Sequence, residues 1–435
     1  MKELSRRIVS ILFAVLCVCG LESCYDYGAD NEISGTDKGT ITDKMLLVLH
    51  VSPIDTRSQS SFADMKEKIK SLRIIVLGSD TVECSRKATF TSTSPATSNN
   101  FNYIFTWSTV PGEKEIYLIA NEESVSKIEY TSKESLPSDL PITLSELLKR
   151  YESPSTDADE FRKVMESVYF SPEYTSDEAG NIFLPYTSYY KLSANGKELL
   201  EQDVFLVPVA TKFTFKFVNH RTYPVEVGSI SVAQTNTCNF LFANMDNSEI
   251  EMTFADDGKS YYWIDWLAKV AEMSHNNSSS VGANETFNNR YGWIKAYKMP
   301  NTDAIVSEFL KPENLKTVPA VTTSGEEGKE GYTEEPGKLE LGPFYVSESR
   351  WEETYKDVGG NDVTEQIYRL TLGLIDQKPD ATAPEFEDVV ISNLKALFRN
   401  TSVVITITMA EGDIKIYAEI QDWNHKYANG WVTDQ

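Results

Sequence analysis

A catalytic reading of this chain would need a nucleophile, a base and a group that orients them. The bases are scarce: the histidines are His50, His220, His275 and His425. None stands in an HExxH motif, and the chain holds no GxSxG, Walker loop or GxGxxG. No Cys/His spacing suits zinc, so no metal or cofactor is expected. The 65 acidic residues allow many carboxylate pairs, but nothing in the sequence selects one. The reading is therefore that the protein is not an enzyme. The chemistry that the spacing does suggest is done to the chain.

The first such place is Cys24. "MKELSRRIVSILFAVLCVCGLESC" opens with a basic stretch (Lys2, Arg6, Arg7), followed by an apolar run from Ile8 to Gly20. That run is shorter than the ~20 residues a membrane-spanning helix needs, and it has the length of a secretory signal, here residues 1–23. Leu21, Ser23 and Cys24 fit a lipobox, in which the cysteine thiol becomes acylated (palmitate) and the cysteine becomes the first residue of a lipoprotein; Glu22 departs from the pattern. The alternative is an ordinary signal peptide with an incidental cysteine. The acidic, polar "YDYGADNE" that follows suits a solvated tether.

The second place is Arg57, in "KMLLVLHVSPIDTRSQS". Met45, Leu46, Leu47, Val48, Leu49 and Val51 make an almost wholly apolar run, which predicts a strand inside a sheet. Arg57 lies six residues past that run, among Asp55, Thr56 and Ser58, in company that suits an exposed loop. A core strand would thus adjoin a point where a protease could detach it. Of the five cysteines, only Cys84 and Cys238 fall in the body of the chain; two isolated, half-buried thiols are expected, without a disulfide framework.

The elements that must position these groups are mostly strands. The chain has 435 residues and 41% hydrophobic content, enough for two or three packed domains. Acidic residues outnumber basic ones 65 to 41, a net charge of −24 that disfavours nucleic acid as a partner. β-Branched and aromatic runs such as "LRIIVLG", "NYIFTWSTV" and "KEIYLIAN" end at Gly, Pro or Asn, with Pro111-Gly112 marking a turn. "LPITLSELLKRY", with Thr143 as N-cap, and "DADEFRKVMESVYF" have helical spacing and are expected to cover one end of a sandwich. Phe213, Phe215 and Phe217 alternate with Thr214 and Lys216, the period of a half-buried strand. The last third, with "QIYRLTLGLI", "SVVITITMAE" and "DIKIYAEIQDW", is strand-rich again. Many short strands separated by turns predict β-sandwich or barrel architecture, here two β domains meeting near residue 200, with no repeat of fixed period. Tyr261, Tyr262, Trp263 and Trp266 could stack on a glycan, but aromatics in such chains more often fill cores. "TSGEEGKEGYTEEPGK" lacks the spaced acidic pattern of a calcium loop and reads as solvated.

In order along the chain, "LLVLHVSPIDTRSQ", "IKSLRIIVLGSD", "VPGEKEIYLIANEES", "FLVPVATKFTFKFVN" and "LFRNTSVVITITMAEGDIKIYAEIQDWN", behind a lipobox, resemble the Bacteroidales-type fimbrillins. "LVPVATK" departs from the basic residue that the family more often has before the Ala. The resemblance implies a mostly β chain of two tandem transthyretin-like β-sandwich domains with small helical inserts. It implies a signal peptide at 1–23, a lipidated propeptide at 24–57 that includes the first strand, an N-terminal sandwich at 58–202 and a C-terminal one at 203–435. The function implied is that of a fimbrial (pilus) structural subunit, exported as an outer-membrane lipoprotein and passed to the cell-surface fimbrium. An arginine-specific protease would cut after Arg57, Ser58 would start the mature chain, and a strand from another subunit would fill the slot left by residues 45–51. A donor tail at 424–435, with Tyr427 and Trp431 as apolar anchors, reaches about 40 Å at most at ~3.3 Å per residue; Ile414 to Ile420 is the alternative donor. The other roles left open are an uncleaved anchor or tip accessory subunit and a glycan-binding surface lipoprotein.

Overall fold

The computed structural model describes residues 44–53, 67–90, 103–131, 136–153, 156–171, 183–193, 199–242, 244–245, 297–298, 304–325, 328–329, 331–349, 352–356, 359–366, 368–378, 385–391, 394 and 397–422. Two β-sandwiches follow one another along the chain.

The first is built from β1 (Met45–Pro53), β2 (Ser71–Leu77), β3 (Val82–Thr89), β4 (Tyr103–Thr109), β5 (Glu113–Ala120), β6 (Glu129–Tyr130), helices α1 (Leu144–Arg150) and α2 (Ala158–Ser167), then β7 (Val168–Phe170), β8 (Tyr186–Ser193) and β9 (Leu199–Pro208). The strands pair in the order β3-β2-β5-β8-β9-β1-β4. The β8–β9 step is confined to Tyr186–Pro208 and Thr187–Val207. There the sheet folds over into two leaves, β3-β2-β5-β8 and β9-β1-β4. Their facing surfaces share one core, with Met45, Leu47, Leu49 and Val51 of β1 against Ile74, Val76, Ile116 and Leu118 of the other leaf.

β2 is buried at every position, so it cannot have a solvent face. The reason is a third layer. Ile75, Leu77, Tyr117 and Ile119 point away from the first core and meet Leu144, Leu147 and Leu148 of α1 and Phe161, Val164 and Met165 of α2. The helices therefore cover a face of the sandwich and not, as the sequence suggested, one end of it. Thr143 is the N-cap of α1: its hydroxyl oxygen accepts from the Glu146 amide at 3.3 Å, and the hydroxyl donates to the Glu146 carboxylate at 2.8 Å. Asp157 caps α2 by accepting from the amides of Asp159 and Glu160. On the helical side of β2, buried Arg73 donates from Nε to Glu122 at 2.7 Å and from Nη1 to Glu152 at 2.8 Å.

β9 extends the first sandwich to Pro208, past the expected seam at 202/203, and the chain crosses over at Val209 and Ala210. From there the chain forms β10 (Thr211–Asn219), β11 (Val225–Thr235), the short β12 (Asn239–Phe240), β13 (Asn244–Met245) and β14 (Tyr297–Lys298), β15 (Ile305–Leu310), β16 (Lys316–Val318), β17 (Thr322–Ser324), β18 (Thr333–Glu335), β19 (Gly337–Val346), β20 (Glu352–Lys356), β21 (Asp362–Gln366), β22 (Arg369–Asp376), β23 (Glu385–Val390), β24 (Thr401–Ala410) and β25 (Asp413–Asp422), of which nine build the second sandwich. One leaf runs β19-β10-β24-β25 and the other β15-β11-β22-β23, with β16 beside β11. Phe213, Phe215 and Phe217 of β10 meet Val227, Ile230, Leu370 and Leu372 in its core, as the period of two predicted. Thr322–Ser324 and Thr333–Glu335, at either end of the acidic Gly/Glu-rich stretch, pair as β17 and β18 and are exposed.

The sandwiches are tied together. After β11 the chain returns to the first one, where β12 pairs with β7 and Leu241 enters the helical core. Buried Arg399 donates to Glu348 from Nε at 3.0 Å and from Nη2 at 2.6 Å, to the carbonyls of Phe240 and Leu241, and to the Thr187 hydroxyl. Lys212 of β10 donates to Glu67 at 3.1 Å, and Tyr345 of β19 donates to the same carboxylate oxygen at 3.3 Å. A buried charge is tolerated only when paired in this way.

Candidate functional site

β1 lies inside its leaf. It runs parallel to β9, from Leu46–Leu199 to Pro53–Leu206, and antiparallel to β4, from Met45–Thr109 to Val51–Tyr103. Both its edges are thus bonded, and its amides and carbonyls have partners on either side. The second sandwich repeats this arrangement: β10 runs parallel to β24 and antiparallel to β19. The first strand of each sandwich is a central one, and its parallel neighbour comes from the end of that domain's sequence.

The apolar run of β1 does not go into the core as a block. Met45, Leu47, Leu49 and Val51 are buried, with at most 1% exposed. Leu46 is 42% exposed, and Val48 and His50 are half-buried. The pattern has a simple cause. The outer side of the β9-β1-β4 leaf has no covering layer among the described residues, so side chains alternate between core and solvent. Leu46 sits there beside Leu199, which is 49% exposed, and His50 beside Ile104, which is 53% exposed. His50 also pairs through Nε2 with the Glu201 carboxylate of β9 at 2.7 Å. With four inward side chains at roughly 1.5–3 kcal/mol each, β1 contributes roughly 6–12 kcal/mol of apolar burial. That estimate is an upper one, because it counts from a fully extended chain.

β4 depends on β1 for its backbone bonds, since it ends the strand order and has no neighbour beyond it among the described residues. Taking β1 away would leave a trough between β9 and β4, floored by Ile74, Val76, Ile116 and Leu118 and walled by Phe105 and Val204. Such a trough can take one extended segment with apolar residues at alternate positions.

The other sequence-marked positions fall differently. Cys24, Arg57, Ser58, Tyr427, Trp431 and the Tyr261–Trp266 cluster lie outside the described residues. The alternative donor, Ile414 to Ile420, is part of β25, which pairs along its length with β24 and packs Ile414, Ile416 and Ala418 against its own domain's core. Cys84 and Cys238 are unpaired with each other and are buried, not half-buried. Burial pushes the Cys84 thiol up to about 12, because a thiolate would lose its hydration there. The neighbours of β1 were not legible beforehand: β9 is some 150 positions away, as the His50–Glu201 separation of 151 records.

No family model matches the chain, and no curated protein matches it. Solved structures do align with it. The tip fimbrial protein Mfa3 from Porphyromonas gingivalis aligns at 12% identity and TM-score 0.42, over 87% of this chain and 100% of that one. A fimbrial assembly protein from Parabacteroides distasonis aligns at 9% identity and TM-score 0.34, over 87% and 98%. A fimbrilin from Porphyromonas gingivalis aligns at 10% identity and TM-score 0.37, over 87% and 97%.

Proposed function

We propose that this chain is a subunit of a cell-surface fimbria that assembles by exchanging its first strand for one from another subunit. The observation that carries the reading is the position of β1. A strand close to the start of the chain occupies the middle of a leaf, with both edges bonded and four side chains in the core. Only the segment from 54 to 66 joins it to the rest, and that segment contains Arg57. A strand so placed keeps the sandwich closed while it is attached. Once it is cut off and lost, the exposed trough favours a replacement of similar burial, about 6–12 kcal/mol before the cost of association.

In this reading Cys24 carries lipid and holds the precursor at the outer membrane. An arginine-specific protease cuts after Arg57, Ser58 becomes the new N-terminus, and other subunits supply the incoming strand. Digestion of the purified precursor with such a protease should give a chain that begins at Ser58, followed by SDS-resistant ladders on gels. Arg57→Ala should abolish both. Normal ladders from that variant would rule out the cut as the trigger.

A further inference from the structure

Three side-chain contacts join β4 to β3, the edge strand of the opposite leaf, and to Phe90, the residue that follows it. At one end the Thr109 hydroxyl donates to Glu83, whose other oxygen accepts from buried Lys114 of β5. Midway, the Arg86 guanidinium lies over the Trp107 ring, 4.7 Å from its centroid. At the far end the rings of Phe90 and Tyr103 meet edge to face at 5.6 Å. Tyr103, Trp107 and Thr109 are alternate residues of β4, on the face that also carries buried Phe105. They span the strand from its first residue to its last. The contacts therefore form a lateral seam that closes one side of the sandwich, and none of them involves β1.

This matters because, among the described residues, β1 is the backbone neighbour of β4 on its single paired edge. A strand deprived of that ladder would be expected to peel away, and a slot with one mobile wall has no defined width. We infer that the β3–β4 seam holds β4 in place when β1 is absent, so that β4 stands as the fixed wall against which an incoming strand docks. Glu83, Arg86 and Phe90 are then positioning residues: they need not touch the incoming strand, but they preserve the ladder of amides and carbonyls that it must find. At the Thr109 end the Pro111-Gly112 turn adds a covalent tether to β5, with Gly112 at a φ of +143°. At the Tyr103 end the Phe90 contact is the corresponding clamp. The energetics favour such a device. Association loses part of its gain whenever a binding edge must first be ordered, and a wall already in register avoids that loss. The inference rests on the strand-exchange reading above.

The test uses the full chain with the site of a sequence-specific protease inserted after Arg57, and a labelled peptide of the sequence Lys44–Pro53 as the incoming strand. After cutting, the peptide should displace β1 and bind. In the double variant Arg86→Ala/Phe90→Ala, binding should weaken about tenfold, the combined worth of an exposed cation–ring contact and an edge-to-face ring pair. Before cutting, the variant should melt lower by only the few degrees that the two contacts are worth, with Cys84 still protected, because β1 holds β4 in place. Arg86→Lys, which keeps a cation over the ring, should restore much of the binding. If the double variant does not fold, Arg86→Gln alone removes the exposed guanidinium and is read in the same way. A second readout is alkylation of Cys84, identified by mass spectrometry; Cys84 lies on β3 between Glu83 and Arg86, under the seam. It should stay protected in the cut parent and become labelled in the cut variant. Equal peptide binding and equal protection in parent and variant would overturn the seam while leaving strand exchange intact. A cut parent that never binds the peptide would overturn both.

Discussion

Leu47→Ala tests how much the first sandwich depends on β1. Leu47 is fully buried, faces the core between the leaves, and stands in register with Trp107 on one side and Leu200 on the other. Removing a buried leucine side chain costs the transfer free energy of the lost atoms plus the cavity, about 3 kcal/mol at a site that cannot collapse. For a sandwich of this size that amounts to a fall in melting temperature of about 6–12 °C. The measurement is differential scanning calorimetry of the uncut chain, with Ile74→Ala on β2 as the comparison, since both side chains line the same core. The two variants should separate after cutting and replacement of β1 by a peptide of the parent sequence. Leu47→Ala then leaves with the old strand, and stability returns to that of the parent; Ile74→Ala stays destabilised. If Leu47→Ala shifts the uncut melting point by under about 1 °C, β1 is not a structural part of the core, and the energetic case for exchange is lost.

Two further outcomes follow from buried charges and thiols. Arg399→Met should cost about 3–5 kcal/mol, because it strands the Glu348 carboxylate without its partner; calorimetry should also show the two sandwiches beginning to melt separately, since Arg399 bonds to Thr187, Phe240 and Leu241. Cys84 of the uncut native chain should resist thiol reagents at pH 8 and react only on unfolding, as burial raises its pKa to about 12 and leaves almost no thiolate. Rapid modification of Cys84 before any loss of circular dichroism would contradict its place in the core.

Much of the architecture could be read from local patterns. The alternation of Phe213, Phe215 and Phe217, the Thr143 cap and the apolar run of β1 are all signals within one segment, and each marks the element that forms there. What failed were properties set by distant neighbours. The exposure of Leu46 and half-exposure of Val48 depend on whether a layer covers the outer side of β1, which no property of "MLLVLHV" encodes. The helices were expected at an end because their sequences do not reveal that Ile75 and Ile119 present a second apolar face. Arg399 and Glu348 gave no signal, since an isolated arginine and glutamate are ordinarily surface residues. The boundary near 202 fell inside β9 because Val204 to Ala210 is one unbroken apolar stretch that leads into the alternation of β10, so nothing local marks the change of sandwich at Val209 and Ala210.

The two-sided bonding of β1 also has a mechanical side. Any segment lodged between β9 and β4 that is tugged along its own length loads the ladders on both flanks simultaneously, in shear, and cannot be unzipped rung by rung from one end. A fibre linked through such joints would resist flow far better than the free energy of a single joint suggests, because its rupture would demand that the whole strand slip at once.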